Sequence, residues 1–398
     1  MTARLVYLSP VDWHSFAQRP HKFVQWWHGA TGGQVLWVNP YPARLPRWSD
    51  LARLRQAPTA VGEAIPAWLQ VLPVPPWPIE PLPGAGPLLR ALWRPVLKRI
   101  DHFAQEGTAL VVGKPSRMAL GIAQSRSFAC KTYDAMDDFP AFHQGQAQRV
   151  MARVERQIMS HVDNVITSSS ALAAKFRPLH AGVVEILNGL DPAVIPDGLL
   201  AARTGDPVVL GYVGTIRDWF DWPLVLQIAR SAPKVHIRLI GPLDHPCPEP
   251  LPDNVQCLPA CSHTVAIQHM VTFSAGLIPF QVNRLTRAVD PIKYYEYAAL
   301  GLPVLSTAFG EMEKRSAEDG VFHIAQGSDP LPALQAALSW RTNASAIRRF
   351  RQDHSWATRF ASAGFLDGRL AQQAPVLPER IRRPHAQQAG EVVTQVQK

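Results

Sequence analysis

Hydrophobic residues in the first half of the chain form short β-branched runs that stop at Gly, Pro or Ser. Four of these runs are RLVYLSP, QVLWVNP, ALVVGKP and NVITSSS. Segments with a helical period separate several of them. In residues 148–162, Val150, Val154 and Ile158 recur every four positions, and arginines occupy the other side. Alternating strands and helices predict a parallel, doubly wound α/β sheet with helices on both faces.

A second series of strand-like runs begins near residue 207. Its members are PVVLGYVGT, VHIRLIGP, NVQCLP, SAGLIPF and LPVLSTA. A turn-rich stretch containing Asn-Gly and Asp-Pro separates the two series. The sequence therefore predicts two Rossmann-like domains, at 1–190 and 207–345, with a linker at 191–206 and a disordered polar tail at 374–398. Ligands of such sheets bind at the carboxyl ends of the strands, so we expect two such edges to face each other across a cleft.

Length and composition agree with two globular domains. The chain has 398 residues, of which 47% are hydrophobic and 18% charged. No apolar run approaches the ~20 residues of a membrane-spanning helix, and the apolar start is too short for a signal peptide. Four cysteines without paired spacing indicate a reducing compartment, and Cys247, Cys257 and Cys261 lack the spacing of a zinc site. We therefore expect a cytoplasmic protein without a bound metal.

The net charge of +9 is concentrated in the first half of the chain and suits an anionic partner. Nucleic acid is disfavoured, because no helix-turn-helix, RNP-like or zinc-finger pattern is present. Residues 66–87 are rich in Pro and Trp and cannot form a regular helix. Residues 88–103 have one apolar and one basic face. This helix either lies in an anionic membrane surface or packs its apolar face into the core.

Two segments at predicted strand ends carry candidate chemistry. The first is KTYDAMDDF, residues 131–139, in which Asp134, Asp137 and Asp138 follow or end a strand. Clustered carboxylates repel one another, so an ordinary joint between a strand and a loop does not require them. Either Asp137 or Asp138 could serve as the N-cap of the next helix, whereas Asp134 is expected to be structural.

The second segment, residues 278–307, runs from a strand through a polar loop into a helix that is predicted to begin at Asp290-Pro291. Lys293 and Glu296 then fall in its first turns. A lysine beside exposed helix amides suits a diphosphate, and a glutamate can accept hydrogen bonds from a ribose diol. Alternatively, these two side chains, three positions apart, pair with each other.

The second domain opens with GYVGTIRDWFDW, which predicts a strand, the turn Gly214-Thr215 and then a helix. This arrangement offers free backbone N–H groups and a helix N-terminus to phosphate. Glycine is, however, also the default residue of any tight turn between a strand and a helix.

The stretch AGLIPFQVNRLTRAVDPIKYYEYAALGLPVLST resembles the donor-nucleotide segment of GT-B glycosyltransferases of the group 1, family 4-like kind. The variety most similar to it acts in bacterial capsule, exopolysaccharide and teichuronic-acid assembly. Further matches in chain order are WHSFAQRPHKFVQWW, YDAMDDFPAF, VDNVITSSSAL, EILNGLD, GYVGTIRDWFDW and HSWATRF. The resemblance spans residues 5–365 or so and implies that a helix within 346–373 returns to the first domain.

The resemblance implies a donor site made of Gly214, Thr215, Arg217, Ile292, Lys293 and Glu296. In that site Lys293 binds the diphosphate and Glu296 the ribose. Two positions depart from the family pattern. Ala288 stands where many retaining members have a second Glu, and Arg217 is the nearest candidate for the usual Arg and Lys pair after the first strand. GT-B enzymes generally work without a metal, so we expect no cofactor besides the sugar donor.

The resemblance also suggests the catalytic base. The similar glucuronosyltransferases of xanthan-type synthesis use an aspartate of the first domain, which favours Asp137 or Asp138 here. A neighbouring acid raises the pKa of such a base, and general-base catalysis contributes typically ~10²–10⁴-fold. Arg19 and His21 would flank the acceptor, and His21 is an alternative base.

We therefore expect a glycosyltransferase that moves a sugar from a UDP- or GDP-linked donor to a lipid-linked glycan acceptor in bacterial surface or exopolysaccharide biosynthesis. It would lie in the cytoplasm, peripheral on the anionic inner membrane face, without nucleic-acid partners. The alternatives are a non-catalytic GT-B scaffold in a polysaccharide-synthesis complex and a nucleotide-sugar epimerase of the same fold.

Overall fold

The computed structural model describes residues 3–40, 65–74, 86–196 and 207–364. The described part of the first domain contains a parallel sheet of seven strands in the order β3-β2-β1-β4-β5-β6-β7. These strands are β1 Arg4–Leu8, β2 Gln34–Val38, β3 Leu69–Leu72, β4 Ala109–Val112, β5 Cys130–Ala135, β6 Asn164–Thr167 and β7 Val183–Glu185.

The described part of the second domain contains a parallel sheet of six strands in the order β10-β9-β8-β11-β12-β13. These strands are β8 Val209–Val213, β9 His236–Ile240, β10 Val255–Leu258, β11 Ala275–Ile278, β12 Val304–Ser306 and β13 Val321–His323. The predicted α/β class with two parallel sheets is thus confirmed.

Helices cover both faces of each sheet, which follows from parallel strands needing a crossover between them. In the first domain they are α1 Arg19–Thr31, α2 Gly86–Phe103, α3 Arg117–Ser125, α4 Gly145–Met159 and α5 Ser170–Phe176. In the second part of the chain they are α6 Trp222–Ser231, α7 His263–Val271, α8 Ile292–Ala299, α9 Leu331–Ser339, α10 Ala344–Asp353 and α11 Trp356–Ala361.

Three strands were not predicted from the sequence, and each lies at the edge of a sheet: β3, β7 and β13. Strand β3 falls inside the Pro- and Trp-rich segment 66–87, which was placed outside the α/β pattern. It pairs in parallel with β2 from Leu69 to Leu72. The predicted linker and tail fall largely or wholly on residues 197–206 and 365–398, which lie outside the described residues.

Helix α2 packs its apolar face into the first domain. Trp93, Val96 and Ile100 are buried in the same hydrophobic cluster as β1, β2 and β4. The basic side chains Arg94 and Lys98 are exposed on the opposite face. Of the two interpretations of this segment, core packing is therefore right, and insertion of the apolar face into a membrane is wrong. No helix within the described ranges is long and apolar enough to cross a membrane.

The two domains contact each other through buried groups. Ala288, between β11 and α8, is buried in the hydrophobic cluster of the first domain. Glu311 of the second domain accepts hydrogen bonds through Oε1 from the backbone N and Oγ of Ser170, at 2.8 and 2.6 Å. At the end of the described chain, Trp356 and Phe360 of α11 pack into the cluster that includes β1 and α1. These contacts hold the carboxyl edges of both sheets against one cleft.

Candidate active site

The cleft between the domains holds a cavity of about 400 Å³. The first domain lines it through the start of α1 and the loop after β5. The second domain lines it through the loop after β8 and the first turns of α8 and α7. All of these segments follow strands at their carboxyl ends, where parallel sheets place their ligands.

Within the acid cluster, Asp134 is structural, as predicted from the sequence. Its side chain is fully buried and accepts hydrogen bonds from the Tyr7 hydroxyl at 2.9 Å and from Arg19 Nε at 3.0 Å. The neighbouring Asp138 lies against α5, where Lys175 Nζ is 2.8 Å from Asp138 Oδ1 and 2.7 Å from Glu155 Oε2. Two of the three carboxylates are therefore neutralised by a lysine or arginine.

Asp137 is the member of the cluster that lines the cavity. Among the described residues, no side chain donates a hydrogen bond or forms an ion pair with its carboxylate. Burial, together with the charges of Asp134 and Asp138, raises the pKa of Asp137 to about 7, and Arg19 acts in the opposite direction. A carboxylate with this pKa is a stronger base than an ordinary aspartate and is about half ionised at pH 7.

The helix-cap interpretation of these aspartates is wrong. Asp138 precedes a 3-10 turn, Phe139–Phe142, but its side chain makes no capping hydrogen bond. The Asp138 carboxylate forms an ion pair with Lys175 instead of a capping hydrogen bond. The structure thus separates the two acids that the sequence left equivalent, because Asp137 faces the cleft and Asp138 faces α5.

The structure contradicts both roles predicted for His21. Its Nδ1 accepts a hydrogen bond from the backbone N of Gln18 at 3.2 Å, so Nε2 carries the proton and contacts the Trp13 carbonyl oxygen at 3.1 Å. The ring is buried between Trp13 and Trp37 and does not line the cavity. A histidine in this position can neither take a proton from a substrate nor contact an acceptor.

Arg19 lies at the cleft but serves mainly to connect elements. Besides Asp134, its guanidinium donates to the Ile186 carbonyl oxygen at 2.7 Å and to Asn188 Oδ1 at 3.3 Å. The side chain is almost completely buried. Direct acceptor binding by Arg19 stays a prediction, whereas its role in linking β5 to the interdomain joint is visible.

On the donor side, Gly214 follows β8 with a positive φ of 147°. A Cβ there would lie 3.1 Å from Lys293 Nζ and from the Tyr212 hydroxyl. The predicted helix does not start at Thr215, because α6 begins only at Trp222. The backbone N–H of Gly214 is not free either, since it donates to the Ile240 carbonyl oxygen at 2.9 Å. Glycine is needed here for the close approach of Lys293, and not as an N–H donor.

Arg217 does not belong to the cleft. Its Nε lies 2.9 Å from Asp244 Oδ2, its guanidinium stacks near Trp219, and 47% of its side chain is exposed. It does not line the cavity, so its predicted role in binding the donor is contradicted. The charge pair with Asp244 explains why this arginine points to the surface.

Lys293 is a half-buried cation in the cleft. Its Nζ lies 5.0 Å from the ring centre of Tyr212 and 5.1 Å from that of Phe280. Within the described ranges it has no hydrogen-bond or ion-pair partner. Burial lowers the pKa of Lys293 to about 8, and the charge of Glu296 opposes that shift. A cation in this environment is stabilised by an incoming anion such as a diphosphate.

Glu296 and Ile292 also line the cavity, and their roles in donor binding stay predictions. Glu296 does not pair with Lys293. Its Oε1 instead accepts a hydrogen bond from His263 Nε2 at 2.6 Å. His263 was not among the residues predicted from the sequence. It follows β10 at the carboxyl edge of the second sheet, and ligands of parallel sheets bind at that edge, so its position was a usable signal.

Asp290 does not cap α8, because the helix begins at Ile292 and Asp290 is buried before it. Its Oδ2 accepts from the backbone N of Asn188 and from the Tyr295 hydroxyl, each at 2.8 Å. Its Oδ1 accepts from Arg315 Nη2 at 2.8 Å. These partners fix the start of the helix that carries Lys293 and Glu296.

Within the described residues the structure brings together no group of three or more His, Cys, Asp or Glu side chains that could hold a metal ion. The neighbouring cysteines Cys247, Cys257 and Cys261 belong to no such group, and none of them is in a disulfide. Lys293 is the positive charge that the second domain contributes to the cavity lining among these residues.

This arrangement, with two facing parallel sheets and a cleft lined by both, is shared with solved structures. HepE from Anabaena, solved with UDP-glucose, is 16% identical, with a TM-score of 0.58 over 91% of this chain and 98% of HepE. The chain has the GT-B fold. The same arrangement occurs in AviGT4, a glycosyltransferase of avilamycin A biosynthesis (14% identity, TM-score 0.54, 94% and 98% covered). A trehalose-6-phosphate protein from E. coli, bound with UDP-2-fluoro glucose, matches at a TM-score of 0.60 and 10% identity over 93% and 99%.

At the sequence level, the chain is 26% identical over 206 residues to TuaH of Bacillus subtilis (strain 168). The name of that protein assigns it to teichuronic acid biosynthesis as a glycosyltransferase. The match covers 48% of this chain and 51% of TuaH, so the chain spans about half the length of this relative. The chain matches no protein-family model.

Proposed function

We propose that this GT-B protein is a glycosyltransferase that moves a sugar from a UDP-type nucleotide-sugar to a hydroxyl group of a lipid-linked glycan in surface polysaccharide biosynthesis. One observation carries the proposal. A half-buried lysine without a hydrogen-bond or ion-pair partner among the described residues, Lys293, and an aspartate with a raised pKa, Asp137, line the same interdomain cleft.

Lys293 would hold the donor diphosphate. A diphosphate beside this partly desolvated ammonium gains a favourable electrostatic interaction with it. The same contact stabilises the negative charge that develops on the diphosphate as it leaves the sugar. Glu296, one turn further along α8, would accept hydrogen bonds from the ribose. The UDP-sugars bound to HepE and to the E. coli protein of the same fold support a UDP-type donor.

Asp137 would act as the general base. The acceptor oxygen forms a bond to the anomeric carbon, the bond from that carbon to the diphosphate oxygen breaks, and the acceptor proton passes to the Asp137 carboxylate. The electron pair of the broken bond stays on the nucleoside diphosphate. The proposed reaction uses no cofactor, because Lys293 supplies the positive charge at the leaving group.

The lipid-linked acceptor places the protein at the inner membrane face in this proposal. The exposed basic face of α2, with Arg94, Lys98 and Arg99, would contact anionic lipids while the apolar face remains in the core. Each such residue near an anionic surface contributes on the order of 1 kcal/mol. The name of TuaH supports a role in assembling a cell-surface polymer.

The direct test is thermal shift and calorimetry with UDP, GDP, dTDP and ADP, on wild type and Lys293→Ala. A ligand at ~100 times its dissociation constant stabilises the folded state by about 2.7 kcal/mol. We expect UDP to stabilise the wild type and not the variant. Stabilisation by none of the four would favour the scaffold hypothesis, and conversion of a UDP-sugar to its epimer without an acceptor would favour an epimerase.

A further inference from the structure

His263 is the first residue of α7 and contacts the donor helix α8 within the second domain, at the wall of the cleft. Its Nε2 donates to Glu296 Oε1 at 2.6 Å, with 42% of the His263 side chain and 14% of the Glu296 side chain exposed. The charged groups that also influence the imidazole are Lys22 and Asp191, which form an ion pair of 2.9 Å with each other. Both His263 and Glu296 line the cavity.

This contact decides which of two positions the Glu296 side chain takes. Glutamate three residues after a lysine on a helix is a natural ion-pair partner of that lysine. Here the carboxylate is held by the imidazole, and Lys293 lies over the rings of Tyr212 and Phe280. Lys293 therefore keeps its charge available to a ligand.

The contact also leaves part of the carboxylate available. Oε1 accepts the imidazole proton, whereas Oε2 has no hydrogen-bond partner within the described parts of the chain. An ionised carboxylate has about four lone-pair sites and can accept from several donors at once. A vicinal diol offers two hydroxyl donors at the spacing of adjacent carbons, which suits one carboxylate.

We propose that His263 is a positioning residue that holds Glu296 toward the ribose diol and so makes the donor site selective for ribonucleotides over 2′-deoxyribonucleotides. The proposal rests on the proposed function, since it takes Glu296 as the ribose ligand. Without the imidazole, Glu296 turns to Lys293, and the ribose loses a hydrogen-bond acceptor whose orientation is fixed.

The test is calorimetric titration of UDP and 2′-deoxy-UDP into wild type, His263→Ala, His263→Leu and His263→Gln. We expect the wild type to prefer UDP by roughly tenfold or more, the size of one hydrogen bond to a charged group. His263→Ala and His263→Leu should reduce the preference to less than about threefold. His263→Gln, which keeps a side-chain N–H donor, should restore it.

His269→Ala is the matched control, because His269 lies in the last turn of the same helix, outside the cavity lining. It should keep the wild-type preference. If His263→Ala and His263→Leu keep it as well while UDP binding still depends on Lys293, the inference about His263 is wrong and the proposed function stands. If the wild type binds neither nucleotide, the proposed function and this inference fall together.

Discussion

The backbone amide of Asn188 donates a hydrogen bond to the buried carboxylate of Asp290, with 2.8 Å between N and Oδ2. In return, Asn188 Nδ2 donates to the Asp290 carbonyl oxygen at 2.6 Å. Asn188 also accepts from Arg19, which pairs with Asp134. Buried polar contacts thus run from Asp134, three residues before Asp137, through Arg19 and Asn188 to Asp290, three residues before Lys293.

Removing the Asp290 carboxylate should destabilise the protein strongly. Asp290→Ala leaves the largely buried guanidinium of Arg315 without its carboxylate partner, and loss of one member of a buried ion pair costs about 3 kcal/mol or more. Chemical denaturation measures the effect. The matched control is Arg217→Ala, which breaks a half-exposed pair with Asp244 and should cost no more than about 1 kcal/mol. Equal losses in the two variants would contradict this account.

Asp137→Asn should lower the rate of sugar transfer by roughly 10²-fold or more while UDP binding is retained, because the amide cannot take a proton. Transfer of labelled sugar from a UDP-sugar to membrane extracts measures the rate. Asp138→Asn serves as the comparison, and we expect a smaller loss because Lys175 already holds that carboxylate.

The same assignment predicts a pH dependence. Since the base must be ionised and the pKa of Asp137 is raised to about 7, kcat/KM of the wild type should fall about tenfold per pH unit below that value. A profile that stays flat down to pH 5 would remove Asp137 from this role.

UDP binding near pH 8 should take up protons. The pKa of Lys293 is lowered to about 8 in the free protein, so part of the population is neutral there, and a bound diphosphate raises this pKa and draws in a proton. Calorimetry in buffers of different ionisation enthalpy detects the uptake. It should vanish in Lys293→Met and decline toward pH 6, where the lysine of the free protein is already charged.

The lowered pKa also has a consequence for stability. Between pH 8 and 10.5 the unfolded chain holds more protons on this lysine than the folded protein does. Stability measured against Lys293→Met should therefore improve as the pH rises through that window.

Gly214→Ala should weaken UDP binding without unfolding the protein. The new methyl group would lie 3.1 Å from Lys293 Nζ, and the positive φ of 147° is strained for any residue with a side chain. Gly121→Ala, in α3 with nothing within 4 Å of the added carbon, is the control and should stabilise by about 0.5–1 kcal/mol. Isothermal titration and thermal melting of both variants separate the two effects.

Reversing the charges of Arg94, Lys98 and Arg99 to Glu should abolish binding to vesicles that contain anionic lipid, with little effect on UDP affinity. Flotation with and without phosphatidylglycerol measures it. Reversal of Arg348 and Arg349 on α10, both exposed, lowers the net charge in the same direction, by two-thirds as much, away from α2. Loss of vesicle binding in that variant too would show that net charge, and not this helix face, is responsible.

The strands that the sequence predicted are mostly those buried on both faces, such as β4 and β8. Strands β3, β7 and β13 were missed because each lies at a sheet edge with only partial burial. A short edge strand carries too few apolar positions for its period to be visible. Helix α8 was placed to within two residues, since Pro291 marks its beginning.

The sequence predicts which side chains line the cavity where that depends on position along one element, as for Lys293 and Glu296 on α8. It does not predict contacts between distant segments. The pairing of Asp138 with Lys175 and the burial of His21 between Trp13 and Trp37 involve partners that the sequence does not bring together. Tertiary contacts of this kind decided which of the candidate bases faces the cleft.

Ala288 of the second domain is buried among the side chains of the first domain, and this contact bears on how the cleft would open. The loop that carries it leads directly into α8, the helix of Lys293. Separating the two domains at this point would expose Ala288 and the apolar side chains around it to water. If the proposed function holds, exposing Ala288 to water would therefore add to the free energy needed to open the cleft and release the nucleoside diphosphate.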